Sequence, residues 1–130
     1  MFDHVGIQVT DVSASTAALA AAFHPIGLVE CRRFDTPGGP VVAFADASAP
    51  ERPYFWLSGG TATEPRHESH IAFVAGSRAE VDEVGAAAVA AGLEILHEPR
   101  LWPEYHEHYS GVFFRDLDGN NFEAVSHRPE

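Results

Sequence analysis

Two hydrophobic periodicities succeed one another along the chain, and the succession occurs twice. From His4 to Val9 apolar and polar positions alternate, with Val5, Ile7 and Val9 on one face and His4, Gly6 and Gln8 on the other. That is the mark of a half-buried strand. An alanine-rich stretch follows, with Leu19 and Phe23 four apart on one helical face, Asp11 and Ser13 as alternative N-caps, and Pro25 and Gly27 to end it. Three further strands are expected at Leu28 to Phe34, Val41 to Ala45 and Tyr54 to Leu57. Between them lie a turn over Asp35 to Pro40 and a loop marked by Pro50 and Pro53. Gly59 to Glu68 carries Gly, Thr and Pro without periodicity and reads as a linker.

The pattern then starts again. His70 to Val74 alternates, with Ile71 and Phe73 on the core face and His70 and Ala72 opposite. Ser77 and Glu80 form a capping-box pair before a helix carrying Val81, Val84 and Ala88, and Gly92 takes the C-terminal glycine position. Leu93 to Leu96 reads as a strand and Glu98 to Tyr109 as a long aromatic loop. Val112 to Val125 is a hairpin, its arms joined by Asp116, Asp118, Gly119, Asn120 and Asn121.

Superposing His4 on His70 aligns D-H-V-G-I with S-H-I-A-F, Gly27-Leu28 with Gly92-Leu93 after a one-residue shift, and Phe55-Trp56-Leu57 with Phe122-Glu123-Ala124. The repeat predicts one α+β domain of two βαβββ modules, about residues 1–58 and 69–127, joined by a linker over 59–68. One module exposes an apolar sheet face that the other can cover. Matched positions then lie about a pseudo-twofold axis, with His4 and His70 facing each other from the non-core sides. Glu123 is the odd residue of the last strand: alternation sets it opposite Phe122 and Ala124, either on a solvated face or aimed into a cavity beside a cation. Its counterpart in the first module is Trp56.

Composition narrows the partners. A length of 130 residues and 45% hydrophobic content suit one globular domain. A net charge of −11 excludes the basic patch that nucleic acid or an anionic membrane requires. All eight basic residues are arginines, so Schiff-base chemistry and a phosphate-loop lysine are excluded. A single cysteine, Cys31, forms no intrachain disulfide and fits a reducing compartment, and neither a secretory leader nor an apolar span is visible. The expected location is the cytoplasm.

The motifs D-H-V-G-I-Q-V, S-H-I-A-F and Y-H-E-H-Y-S-G-V-F-F-R-D-L-D-G-N-N-F-E-A-V together resemble the vicinal-oxygen-chelate superfamily, which contains glyoxalases, bleomycin-resistance proteins and extradiol dioxygenases. The last motif is similar to the family's aromatic-F-x-D-P-D-G-N-x-x-E signature, with Leu117 in place of the usual proline. The resemblance implies a curved mixed sheet around a central cavity. It also implies a divalent metal (Fe, Mn, Ni or Zn) held by His4, His70 and Glu123, a small-molecule substrate, and frequent dimerisation, with the cavity built within one chain or between two. Glyoxalase I uses a fourth, carboxylate ligand where this chain has Trp56, and fosfomycin-resistance members rely partly on a lysine that is absent here.

Two imidazoles and a carboxylate on one side of a metal leave positions at which two adjacent substrate oxygens can chelate. Proton transfer is then assigned to Tyr105, His106 and Tyr109, with His108 nearby, and Trp56, Trp102 and Phe113 are expected to wall the cavity. His106-Glu107-His108 has the spacing of a second metal site but also that of a solvated loop. His24, His97 and His127 read as surface or packing residues. Two functions follow: a metal-dependent lyase, isomerase or dioxygenase, or a metal-free protein that sequesters small molecules. The acidity of the chain suits cationic ligands for the second.

Overall fold

The computed structural model describes residues 1–61 and 67–130, so the middle of the expected linker, 62–66, lies outside the described residues. The first module contains β1 (Val5–Val9), α1 (Val12–Phe23), β2 (Leu28–Thr36), β3 (Gly39–Asp46) and β4 (Phe55–Gly59). The second contains β5 (His70–Val74), α2 (Arg78–Ala90), β6 (Glu94–Leu101), β7 (Ser110–Arg115) and β8 (Asn121–Ser126). Each module forms a four-stranded mixed sheet, in the orders β1-β4-β3-β2 and β5-β8-β7-β6. The first strand of each pairs in parallel with the last, and the other pairings are antiparallel.

The two modules match down to their helix ends. Gly27, which closes a 3-10 turn over His24–Ile26 after α1, and Gly92, just past α2, both adopt φ +79°, the left-handed conformation that turns the chain into a strand without Cβ strain. Asp11 is the N-cap of α1, accepting the amide hydrogen of Ala14 at 3.0 Å. At α2 the Ser77 hydroxyl caps Glu80 N–H. The Glu80 carboxylate reaches back to the amide of Gly76, one residue before the capping position that the motif predicts.

Alternation decides what each sheet buries. Phe55, Leu57, Val42 and Phe44 of the first sheet, and Phe73, Phe122, Ala124, Val112 and Phe114 of the second, join Leu19 and Phe23 of α1 and Val81 and Val84 of α2 in one core. Phe23 is the keystone: its ring lies 4.6 Å from Phe73, 5.2 Å from Phe114 and 5.9 Å from Phe122. Phe55 also reaches across the modules, meeting Phe73 edge-on at 5.3 Å. The opposite face of each sheet is therefore turned away from the shared core.

Several strands run longer than periodicity suggests, β3 among them, from Gly39 to Asp46. β2 continues to Thr36, passing an irregularity between Glu30 and Arg32. β6 continues to Leu101 rather than ending at Leu96, because it resumes pairing with Gly111 and Ser110 after a register shift between His97 and Arg100. Pro99 lies in that shift, where a missing N–H costs no ladder bond. The aromatic loop is shortened accordingly. No helix among the described residues is long and apolar enough to cross a membrane.

Candidate metal and substrate site

The outer face of the second sheet carries the densest chemistry. Ala72, Glu123 and Phe113 are register neighbours across β5, β8 and β7, and His97 continues the row on β6. Glu123 is only 2% exposed, roofed by the residues around it. Phe113 stacks on His70 at 6.0 Å and meets Trp102 edge-on at 5.2 Å. Trp102 is anchored by its indole N–H, which donates to the carbonyl of Gly111 at 3.1 Å.

His70 and Glu123 are brought together, with Nε2 3.1 Å from Oε2. Nδ1 lies 3.1 Å from the backbone carbonyl of Asn121, and that carbonyl and the carboxylate can both only accept, so one ring hydrogen satisfies just one of them; on Nδ1 it serves the carbonyl. In a neutral ring Nε2 then points a lone pair at a buried carboxylate oxygen. Two lone pairs face each other at that distance only with a positive centre between or beside them, a proton or a metal ion. An imidazole that donates one N–H to a carbonyl and offers the other nitrogen is the usual setting of a metal-ligating histidine.

Tyr109, in the loop before β7, donates its hydroxyl hydrogen to Oε1, the other oxygen of Glu123. Burial, then the hydrogen bond and negative charge of Glu123, and then Tyr105 push the phenol well above its ordinary range, so it keeps its proton at neutral pH. Of the residues assigned to proton transfer, only Tyr109 reaches the carboxylate. Tyr105 packs edge-on against Tyr109 at 4.9 Å and stacks on Trp102 at 5.8 Å. His106 makes its bonds elsewhere: its Nδ1 accepts the His108 amide hydrogen, so its Nε2 donates to Nδ1 of His127 at 2.8 Å. His108 instead meets Glu107 at 3.2 Å.

His4 stands elsewhere. Its Nδ1 lies 2.6 Å from the Asp3 carboxylate, which fixes the tautomer as in His70 and leaves Nε2 as the free donor atom. It lines a cavity of about 850 Å³ on the first module with Tyr54, Trp56, Arg32 and Arg52. Trp56 is the register neighbour of Gly6 on β1 and stacks alongside Phe34 at 6.2 Å. Among the described residues no three of His, Cys, Asp and Glu gather closely enough to hold a metal. Within one chain, His4 and His70 therefore do not face each other as the repeat suggests. His4 and the His70–Glu123 pair lie on sheet faces that both turn away from the common core.

Sequence reasoning missed three residues beside these two clusters. His97 meets Trp102 at 5.1 Å and Phe113 at 5.5 Å, His127 stacks on His106 at 5.1 Å, and Arg32 occupies the row of Trp56. Alternation carried across the sheet from Glu123 and Trp56 could have found His97 and Arg32. No local signal marks His127, which follows the last strand.

Paired βαβββ modules, each a mixed sheet packed by one face into a shared core, place the molecule among the proteins built on that repeat. The chain belongs to the Glyoxalase/Bleomycin resistance protein/Dioxygenase superfamily, whose sequence model matches residues 1–124. No curated protein matches the sequence. Among solved structures, a glyoxalase/bleomycin resistance protein from Albidiferax ferrireducens T118 is 22% identical with a TM-score of 0.76, covering 97% of this chain and 98% of that one. A mutant of the fosfomycin resistance protein FosX from Listeria monocytogenes, complexed with Mn(II) and 1S,2S-dihydroxypropylphosphonic acid, is 24% identical with a TM-score of 0.69, covering 95% and 87%. TioX from Micromonospora sp. ML1 is 17% identical with a TM-score of 0.71, covering 98% and 99%. These likenesses establish the shared fold.

Proposed function

We propose that the protein is a metal-dependent enzyme acting on a small substrate with two adjacent oxygens, by lyase or isomerase chemistry of glyoxalase type or as an extradiol dioxygenase. Its working unit is a homodimer in which His4 of one copy completes a site begun by His70 and Glu123 of the other. The observation that carries this is His70 Nε2 lying 3.1 Å from the buried Glu123 carboxylate, with Nδ1 also 3.1 Å from a backbone carbonyl, so that two acceptors face one imidazole. The donor set of two imidazole nitrogens and one carboxylate oxygen fits Fe, Mn, Ni or Zn. Such an ion would supply Lewis acidity and a template for the adjacent oxygens. Tyr109 holds Oε1 of Glu123 and keeps a proton beside the site at neutral pH. Phe113 and Trp102 exclude water from one wall, and Trp56 supplies the facing wall. FosX, of the same fold, is complexed with Mn(II). The single cysteine, Cys31, is free and suits a reducing cytoplasm.

Sequestration without metal is the second reading, favoured by a net charge of −11 that attracts cationic ligands. In that case the centre between His70 and Glu123 is a proton. Titrating protein purified without chelator with Mn(II) decides between them. The enzyme reading expects binding that His70→Ala and Glu123→Gln abolish. The absence of Mn(II), Fe(II), Ni(II) and Zn(II) binding, with nitrogen NMR showing both ring nitrogens of His70 protonated, overturns it.

A further inference from the structure

Resting on the shared-site reading above, we infer that the substrate is an acid with a planar apolar body, seated along the row Gly6–Trp56–Ala43–Arg32 with its anionic group on Arg32 and Arg52. The four residues are register neighbours across β1, β4, β3 and β2, so their side chains rise from the same outer face of the first sheet. Two of them are nearly bulkless. A Cβ at Gly6 would lie 3.5 Å from Trp56 Cβ, and Ala43 adds only a methyl, so the half-buried indole is the one bulky group of the row between His4 at one end and a guanidinium at the other. Phe34, 48% exposed, lies parallel to Trp56 and extends the flat apolar floor. A half-buried indole with an exposed phenyl alongside it, at a cavity of about 850 Å³, is a surface suited to cover something flat.

Charge gives the polarity of that ligand. The chain is strongly acidic, and Arg33, Arg100 and Arg115 each engage a glutamate. Arg32 and Arg52, which line the cavity, have no side-chain hydrogen bond or ion pair among the described residues. Of the carboxylates there, Asp3 is engaged by His4, which leaves Glu51 against two guanidiniums. A planar fork with no partner matches a carboxylate, sulfonate or phosphonate. β1 and β2 are three interstrand steps apart, about 14 Å. With the arginine side chain reaching inward, one or two fused rings span the gap between an acid group there and oxygens near His4. The pseudo-twofold partner row, Ala72–Glu123–Phe113–His97, supplies a second aromatic surface to close over such a body.

Matched probes test this: 2-naphthoate and 2-naphthamide share the ring system and differ in charge. Calorimetric titration of the full-length protein should show 2-naphthoate binding at least tenfold more tightly than the amide. That margin should shrink in high salt, collapse in Arg32→Gln and be reduced in Arg52→Gln. Both side chains are exposed, and circular dichroism checks that the variants fold. Equal affinity for the two probes, or a preference untouched by both substitutions, overturns the inference. Mn(II) titration of the same samples separates the two claims. Metal binding without acid preference sinks the inference alone, whereas acid preference without any metal binding sinks the metal reading and leaves the anion seat standing.

Discussion

Tyr109 holds Glu123 by one carboxylate oxygen while leaving the other to His70, fourteen residues and one hairpin connecting donor to acceptor. The phenol therefore fixes the rotamer of a buried carboxylate and leaves Oε2 on the His70 side. Tyr109→Phe keeps the ring packing against Tyr105 and His127 and removes only that bond. Outer partners of this kind alter metal affinity by about 10- to 100-fold. The expected outcome is a loss of at least tenfold in Mn(II) affinity with a folded, monodisperse protein. Unchanged affinity by calorimetry would leave Tyr109 no part in holding the metal.

Gly85 sits in α2 against β6. Replacing a helical glycine by alanine ordinarily gains about 1 kcal/mol. Here the added Cβ would come 2.7 Å from Cγ of Pro99, a ring atom held in the strand irregularity, and 3.4 Å from Val112. Overpacking of this sort costs about 1–3 kcal/mol. The clash outweighs the propensity, and Gly85→Ala is expected to lower the urea midpoint. A higher midpoint would show that Pro99 yields freely.

Tyr54 bridges the cavity and the core. Burial, then the charge of Asp46, raise its phenol above the ordinary value. Because the folded state holds this proton more tightly, the associated stability is intact below the unfolded value of about 10 and is lost as pH rises toward the folded one. Urea midpoints of the wild type should therefore fall as pH is raised from about 9 through the unfolded value of about 10 and beyond. Tyr54→Phe should fall less over the same interval, and parallel declines would count against the assignment.

Much of this molecule is written in local patterns, and the exceptions share a cause. The strand histidines, the hairpin with its Asp116 and Gly119 turn, and the matched Gly27 and Gly92 ends each depend on residues close in sequence, so periodicity and turn chemistry reveal them. Pairing of Phe113 with Glu123 follows from the hairpin alone. The full reach of β6 does not, because strand pairing resumes beyond Pro99 only through tertiary contact with β7. Nor does the contact between His106 and His127, which joins a loop to the chain beyond the last strand. Above all, alternation tells which face a residue occupies but not which face meets which. The repeat correctly sets His4 and His70 on matching non-core positions, while the Phe23 and Phe55 packing turns those faces apart within one chain.

Because those faces diverge within one chain, mixing two defective copies is the most direct experiment. His4→Ala chains keep His70 and Glu123, and Glu123→Ala chains keep His4. If sites form between copies, each variant alone binds no Mn(II), and co-refolding the two restores one intact site in every mixed dimer. Recovered Mn(II) binding is expected, counted by electron paramagnetic resonance at one ion per mixed dimer. Mixed dimers that stay as metal-free as their parents, alongside wild type that binds Mn(II), would refute a site shared between copies.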